Sequence, residues 1–135
     1  MKAVDMTTKH EPPESVGDCF RCCIASIMDL PASEVPHVYE GAGYEDKTGA
    51  VGKKRLDDWL AGLGLFFMEF RFTPEGLKDW RGYMNCHHTL SGIGPRGFLH
   101  CCVGYGGEVV HDPHPSRAGI TPDDGHYLVG FICKK

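Results

Sequence analysis

The chain of 135 residues has the length and the 41% hydrophobic, 24% charged composition of one globular domain, expected over residues 1–135. Its formal net charge of −4 at pH 7 excludes the basic surface that a nucleic acid or an anionic membrane would require. Because the N-terminus lacks the apolar core of a signal peptide, and no apolar run approaches the roughly 18 residues that cross a bilayer, we expect a cytoplasmic protein without a membrane partner.

The seven cysteines include two adjacent pairs, Cys22-Cys23 and Cys101-Cys102. An odd number of cysteines with adjacent members is a poor disulfide framework, and a cytoplasmic compartment keeps thiols reduced. We therefore expect free thiols, most of them buried as small apolar side chains.

The first predicted helix runs from Asp18 or Cys19 to about Asp29, and Pro31 ends it. Its apolar residues recur at the spacing of one buried helix face: Phe20, Cys23, Ile24, Ile27 and Met28. Asp18 is the expected N-cap residue, which places Cys19 in the first turn. Unpaired backbone N–H groups and the helix dipole favour a thiolate at that position, so the pattern predicts Cys19 as a nucleophile.

Downstream, the pattern predicts an exposed, candidate substrate-facing loop over 39–52, helices over 53–63 and 74–80, and the strand Leu65–Phe72 between them. The last third is strand-like, with the candidates His87–Gly92, Phe98–Tyr105, Glu108–Asp112 and His126–Cys133. Gly106-Gly107 is a hairpin turn signal between two of them. A helix first and a sheet later indicate an α+β fold.

A base for the cysteine is expected from this hairpin, which carries His100 on one strand and Asp112 at the end of the next. With a three-residue loop over 105–107, Gly104 pairs with Glu108 and His100 lies opposite Asp112 on one face. A two-residue turn would instead place Asp112 on the opposite face from His100.

The first of these registers predicts a catalytic triad. His100 takes the proton of the Cys19 thiol and later gives it to the leaving group. Asp112 fixes the imidazole tautomer and stabilises the charged ring.

These residues resemble those of papain-like cysteine peptidases. The segment Gly17-Asp18-Cys19-Phe20, an isolated His100 opening a Val-Gly strand, and Asp112-Pro113 after a hairpin are most similar to bacteriocin-processing double-glycine peptidases. Those domains show an Asp-Cys start, a strand histidine and an Asp-Pro. The stretch from Cys19 to Pro36 also resembles small uncharacterised proteins encoded by bacteriophages.

The resemblance implies a papain-like α+β fold, with an N-terminal helix packed on an antiparallel sheet. It implies Cys19 as nucleophile, His100 as base and Asp112 as the orienting residue, with no cofactor and no metal. The expected function is a thiol hydrolase that acts on a peptide or protein, and on a host protein in the host cytoplasm if the chain is phage-encoded.

The sequence differs from those peptidases at one group, the side chain that holds the oxyanion formed during acyl transfer. Such peptidases carry a glutamine before the cysteine whose side chain helps to hold the oxyanion, and this chain contains no glutamine. The backbone N–H of Cys19 is one expected donor. The second donor is open among Ser15, His10 and Asn85.

Other classes of function have their own signals. Cys19-Phe20-Arg21-Cys22 has the spacing of a redox pair at a helix start, but the residues before it form a poor strand. Zinc-ligand types are grouped in Cys86-His87-His88, His100-Cys101-Cys102 and His111-Asp112-Pro113-His114, without the spacing of a finger or ribbon. A deamidase or acyl transferase would use the same three catalytic residues. A non-catalytic binding or inhibitor protein on the same fold is the alternative outside enzymes.

Overall fold

The computed structural model describes residues 1–11, 15–41 and 49–135. Within them the chain forms the helices α1 (Cys19–Met28), α2 (Ala50–Gly62) and α3 (Pro74–Trp80), and two single 3-10 turns, Ala32–Glu34 and Arg81–Tyr83. The strands are β1 (Leu65–Phe72), β2 (His87–Ile93), β3 (Leu99–Tyr105), β4 (Glu108–His111) and β5 (Tyr127–Lys134). They form one antiparallel sheet in the order β1-β5-β2-β3-β4. The predicted α+β class is confirmed.

The predicted elements lie close to the observed ones. β1 and α3 have the expected bounds, and Thr73 caps α3 by accepting a hydrogen bond from the Gly76 N–H at 3.0 Å. Half of the loop predicted over 39–52, residues 42–48, lies outside the described residues, and its end is helical because α2 begins at Ala50. No helix in the described part of the chain has both the length and the apolar character needed to span a bilayer.

Helix α1 is buried more completely than one apolar stripe requires. Cys23 packs on Cys101 and Val103 of β3. On another side the Cys22 thiol is fully buried and donates to the Asp5 carbonyl at 3.3 Å. The N-terminal segment therefore covers the side of α1 that the sheet leaves open.

Asp18 lies at the N-cap position of α1, but its side chain does not cap the helix. The carboxylate instead accepts hydrogen bonds from the backbone N–H groups of Thr7 and Thr8, both at 3.0 Å, and from the Thr7 hydroxyl at 2.6 Å. Burial opposes the charged form, yet these hydrogen bonds hold the pKa of Asp18 below its ordinary value. Asp18 thus fixes the N-terminal segment beside the start of α1.

The other face of the sheet carries a second apolar cluster, formed by Leu77 of α3 with Met84, Leu90 and Val129. Strand alternation places odd-numbered β3 residues such as Cys101 towards α1. The even-numbered residues, His100 and Cys102 among them, point towards the face of the second cluster.

The strand register of the β3–β4 hairpin differs from the predicted one. Tyr105 pairs with Glu108, so the turn contains only Gly106-Gly107, with φ values of 62° and 79°. The three-residue loop and the pairing of Gly104 with Glu108 are therefore wrong. In an unbroken ladder, this two-residue turn would place Asp112 on the face of α1.

A β-bulge at Val110 interrupts the ladder, so Asp112 does not lie on the face of α1. Two successive residues of β3 pair with residues of β4 that are two positions apart: Gly104 with Val109, and Val103 with His111. The extra residue shifts every later side chain of this strand to the opposite face. Asp112 consequently returns to the face of His100.

His88 is a fully buried histidine that joins the sheet to the hairpin turn. Its Nε2 accepts a hydrogen bond from the Gly107 N–H at 3.0 Å, and its Nδ1 donates to the Thr89 carbonyl at 2.9 Å. A Cβ atom on the opposing Gly104 would lie 2.4 Å from the ring, so only glycine fits there. Burial lowers the pKa of His88, which keeps the ring neutral.

This burial predicts a loss of stability in mild acid. The unfolded chain binds a proton at His88 near pH 6.5 whereas the folded chain resists it, so stability is complete above pH 6.5 and falls as the pH drops below it. One such group contributes up to about 1.4 kcal/mol per pH unit. Urea unfolding at pH 7.5 and pH 5 measures the loss, which His88→Gln is expected to reduce and His87→Gln to preserve. An unchanged loss in His88→Gln would contradict the assignment.

Candidate active site

Asp112 is a buried carboxylate that several hydrogen bonds hold in place. Its Oδ1 accepts from His100 Nε2 at 2.7 Å and from the His114 N–H at 2.9 Å, and its Oδ2 accepts from the Gly119 N–H at 2.7 Å. Burial favours the protonated acid, but the hydrogen bonds from His100, His114 and Gly119 outweigh it and hold the pKa of Asp112 below its ordinary value. The group is therefore a carboxylate at neutral pH.

The ionised Asp112 determines the tautomer of His100. A carboxylate only accepts hydrogen bonds, so the bonded Nε2 of His100 carries the ring proton. In the neutral ring, Nδ1 is then the nitrogen with a lone pair. The His100 side chain is 12% exposed, so the imidazole lies at the border between the protein interior and the solvent.

Cys19 is the first residue of α1 and is half-buried. Burial raises the pKa of its thiol to about 12, and the neighbouring Cys101 thiol acts in the same direction. The backbone N–H groups of Cys101 and Phe20 oppose this rise without cancelling it. The expected activation of Cys19 by the helix start is thus wrong for the resting protein, in which Cys19 is a neutral thiol.

The structure brings His100 and Asp112 into direct contact and places Cys19 beside Cys101, the next residue of the strand. No hydrogen bond joins Cys19 to His100 among the described residues. Because β4 pairs only with Val103–Tyr105, the outer edge of β3 around His100 is not paired with β4. Cys19 packs with Cys101 on the α1 face of β3, whereas His100 points to the other face, so the thiol and the imidazole can meet only around this unpaired edge.

A clamp from the N-terminal segment fixes the loop after Asp112. Arg117 donates to the Asp112 carbonyl at 2.5 Å and to both carboxylate oxygens of Asp5, at 2.6 and 3.0 Å. The Met6 N–H donates to the Pro113 carbonyl at 3.0 Å. Sequence reasoning missed this clamp because its two segments, around Asp5 and Arg117, are more than a hundred positions apart and no local pattern connects them.

The three candidates for the second oxyanion donor lie in different surroundings in the structure. Asn85 donates to the Gly82 carbonyl at 3.2 Å and lies near the end of the sheet where β3 finishes, away from His100. The Ser15 hydroxyl donates to the Lys9 carbonyl at 2.7 Å. His10 contacts the segments that lead into both Cys19 and His100.

The zinc-ligand types are only partly brought together. One nitrogen of His100, the Cys102 sulfur and one Asp112 oxygen lie within 4.8 Å of one another. Cys102 is fully buried, and burial raises the pKa of its thiol, with Asp112 adding to the rise. Of the remaining histidines, His111 contacts Asp5 and the Val4 carbonyl.

Together these features define an α+β protein with a partly buried histidine–carboxylate pair on β3, next in sequence to the strand residue Cys101 that contacts a cysteine at a helix start. Comparison of the chain with models of protein families, with curated proteins and with solved structures finds no match.

Proposed function

We propose that the protein is a thiol hydrolase of papain-like fold that cleaves a peptide or isopeptide amide through a thioester on Cys19. The hydrogen bond of 2.7 Å between His100 Nε2 and Asp112 Oδ1 carries the proposal. It leaves Nδ1 of His100 as the proton acceptor, on a residue adjacent to the one that Cys19 contacts. The helix that begins at the cysteine and packs on an antiparallel sheet supports the papain-like architecture.

In the acylation step, the Cys19 sulfur attacks the substrate carbonyl carbon while His100 Nδ1 accepts the thiol proton. The carbonyl π electrons move to the oxygen, which becomes the oxyanion of a tetrahedral intermediate. When the intermediate collapses, the C–N bond breaks, and the imidazolium gives its proton to the leaving amine. Asp112 stays ionised throughout and stabilises the charged ring.

Water completes the reaction. His100, neutral again, accepts a proton from the water molecule that attacks the thioester carbonyl, and the proton returns to the departing Cys19 sulfur. The products are a carboxylic acid and the free thiol. If an amine replaced the water, the same acyl-enzyme would serve a transferase.

The raised pKa of the Cys19 thiol determines when its proton leaves in the first step. With a neutral thiol at rest, the proton must leave as the carbon–sulfur bond forms, because a preformed thiolate is scarce at neutral pH. The substrate carbonyl must therefore be in place before the thiol reacts.

Burst kinetics with p-nitrophenyl acetate test the proposal. We expect a burst of p-nitrophenol that Cys19→Ala abolishes and His100→Ala slows by about 10²–10⁴, the usual contribution of a general base. Cys86→Ala is the matched control, because Cys86 is an exposed cysteine and accounts for ordinary thiol reactivity. A burst that depends on Cys86 and survives Cys19→Ala would overturn the proposal.

A zinc site is the second candidate, favoured by the ligand atoms of His100, Cys102 and Asp112 within 4.8 Å of one another. Metal analysis of the purified protein separates the two functions. Stoichiometric zinc that is lost in Cys102→Ser would displace the triad, because His100 and Asp112 would then serve as ligands. Metal-free protein with an intact burst would favour the hydrolase.

A further inference from the structure

We propose that the outer edge of β1 is a dimer interface, at which two copies of this chain pair their β1 strands antiparallel about a two-fold axis at Phe70. The sheets of the two copies then form one continuous sheet. The proposal does not depend on the thiol hydrolase proposed above.

The outer edge of β1 is open in the described part of the chain. β1 is the first strand of the order β1-β5-β2-β3-β4, so only its inner edge is paired, with β5. That pairing runs through all 8 residues of β1 without a bulge, and the strand contains no proline. The N–H and C=O groups of the outer edge therefore form a regular row with which another strand can pair.

The last strand of the sheet, β4, does not offer such an edge. It has only 4 residues and carries the bulge at Val110, and both features hinder the addition of a further strand. β1 is thus the long, regular edge of the sheet. Because β5 and β2 separate it from β3, a partner at β1 leaves the surroundings of His100 open.

Four successive residues of β1 are exposed: Met68, Glu69, Phe70 and Arg71. Met68 and Phe70 lie on the face of the second apolar cluster. Phe70 packs on Phe131 of β5, with 6.2 Å between the ring centroids, and is still 46% exposed. Strand alternation places Glu69 and Arg71 on the opposite face. The open edge therefore has one apolar face and one face with two opposite charges.

This arrangement of charges selects a second copy of the chain as the partner. When two β1 strands pair antiparallel with Phe70 opposite Phe70, Glu69 of each copy lies opposite Arg71 of the other. On the apolar face, Met68 of each copy lies opposite Phe72 of the other. Pairing centred on Glu69 or on Arg71 would instead place like charges opposite each other, so the charges also fix the register.

Neither charge is fully matched within one copy. Among the described residues, the Glu69 carboxylate has no ion-pair partner, because the nearby Lys53 ammonium binds Asp57 at 2.9 Å. The Arg71 guanidinium lies 3.4 Å from His126 Nδ1 at the surface, and no described carboxylate pairs with it. Pairing of two β1 strands would give both groups an ion-pair partner.

Sedimentation equilibrium of the full chain over a range of concentrations, at pH 7.5 and low ionic strength, tests the proposal. We expect the wild type to show a monomer–dimer equilibrium. Arg71→Glu should raise the dissociation constant by about tenfold or more, because both cross-strand ion pairs become contacts between like charges. Glu69→Arg should have the same effect for the same reason.

Two further variants provide the rescue and the control. The double variant with Glu69→Arg and Arg71→Glu exchanges the charges, so opposite charges again face each other at both positions. We expect its dissociation constant to return close to the wild-type value, which also shows that the fold tolerates both substitutions. Glu34→Arg reverses an exposed charge outside the sheet, in the 3-10 turn Ala32–Glu34, and should leave the dissociation constant unchanged.

Three results would overturn the proposal. A wild-type chain that stays monomeric at every concentration would show that β1 does not pair with a second copy. A dimer that both single variants retain would place the interface on another surface. A double variant that dissociates as readily as the single variants would show that Glu69 and Arg71 do not face each other across the two copies.

Discussion

Asp112→Asn is expected to lower the rate of Cys19 acylation by about 10³–10⁴, as expected when a catalytic histidine takes the wrong tautomer. An asparagine amide that donates to His100 Nε2 would force the ring proton onto Nδ1, the nitrogen that must accept the thiol proton. The amide cannot avoid a conflict, because both oxygens of Asp112 accept from backbone N–H groups that only donate, those of His114 and Gly119. The measurement is the burst rate with p-nitrophenyl acetate.

Asp123→Asn is the matched control for this substitution, since Asp123 is an exposed acid on the loop before β5. It should leave the burst rate unchanged. A rate for Asp112→Asn within tenfold of the wild type would mean that the hydrogen bond between His100 and Asp112 has no part in the reaction.

Deletion of Val110 is expected to abolish the burst, with an effect at least as large as that of Asp112→Asn. Val110 is the extra residue of the β4 bulge, and a regular ladder would turn Asp112 from His100 towards α1. The carboxylate would then point towards the face where Cys101 packs on Cys23, and the fold would lose stability because a buried charge without partners is costly.

The control for this deletion is Val110→Ala. The side chain of Val110 is 49% exposed, so its truncation keeps the bulge and removes little buried surface. We expect near wild-type acylation from Val110→Ala. A deletion variant that folds and keeps its burst would show that the bulge does not orient Asp112.

The elements of the fold could be predicted from local patterns because their signals are local. Thr73 and Pro74 mark the start of α3, and the alternation of β1 ends at Gly64 and Thr73. The turn at Gly106-Gly107 could also be predicted locally, since both residues adopt the positive φ that glycine favours. The bulge could not be predicted from the sequence, because nothing in the identity of Val110 distinguishes it from a paired valine.

The contact between His100 and Asp112 was predicted from the sequence, but the electrostatics around Cys19 and Asp18 could not be. The position of Cys19 at a helix start predicts a lowered thiol pKa. Burial beside Cys101 raises that pKa instead. Asp18 has the sequence context of a helix cap, but its carboxylate binds Thr7 and Thr8 instead. Both outcomes depend on how distant segments pack, which helical periodicity alone does not encode.

The most direct test of the central claim is to locate the acyl group. Wild-type protein would be mixed with p-nitrophenyl acetate, quenched in acid during the burst and digested for peptide mapping by mass spectrometry. We predict a hydroxylamine-sensitive acetyl group on Cys19 that is lost in His100→Ala. Acetylation of Cys86 with none on Cys19, or equal labelling of Cys19 in His100→Ala, would contradict a nucleophile activated by His100.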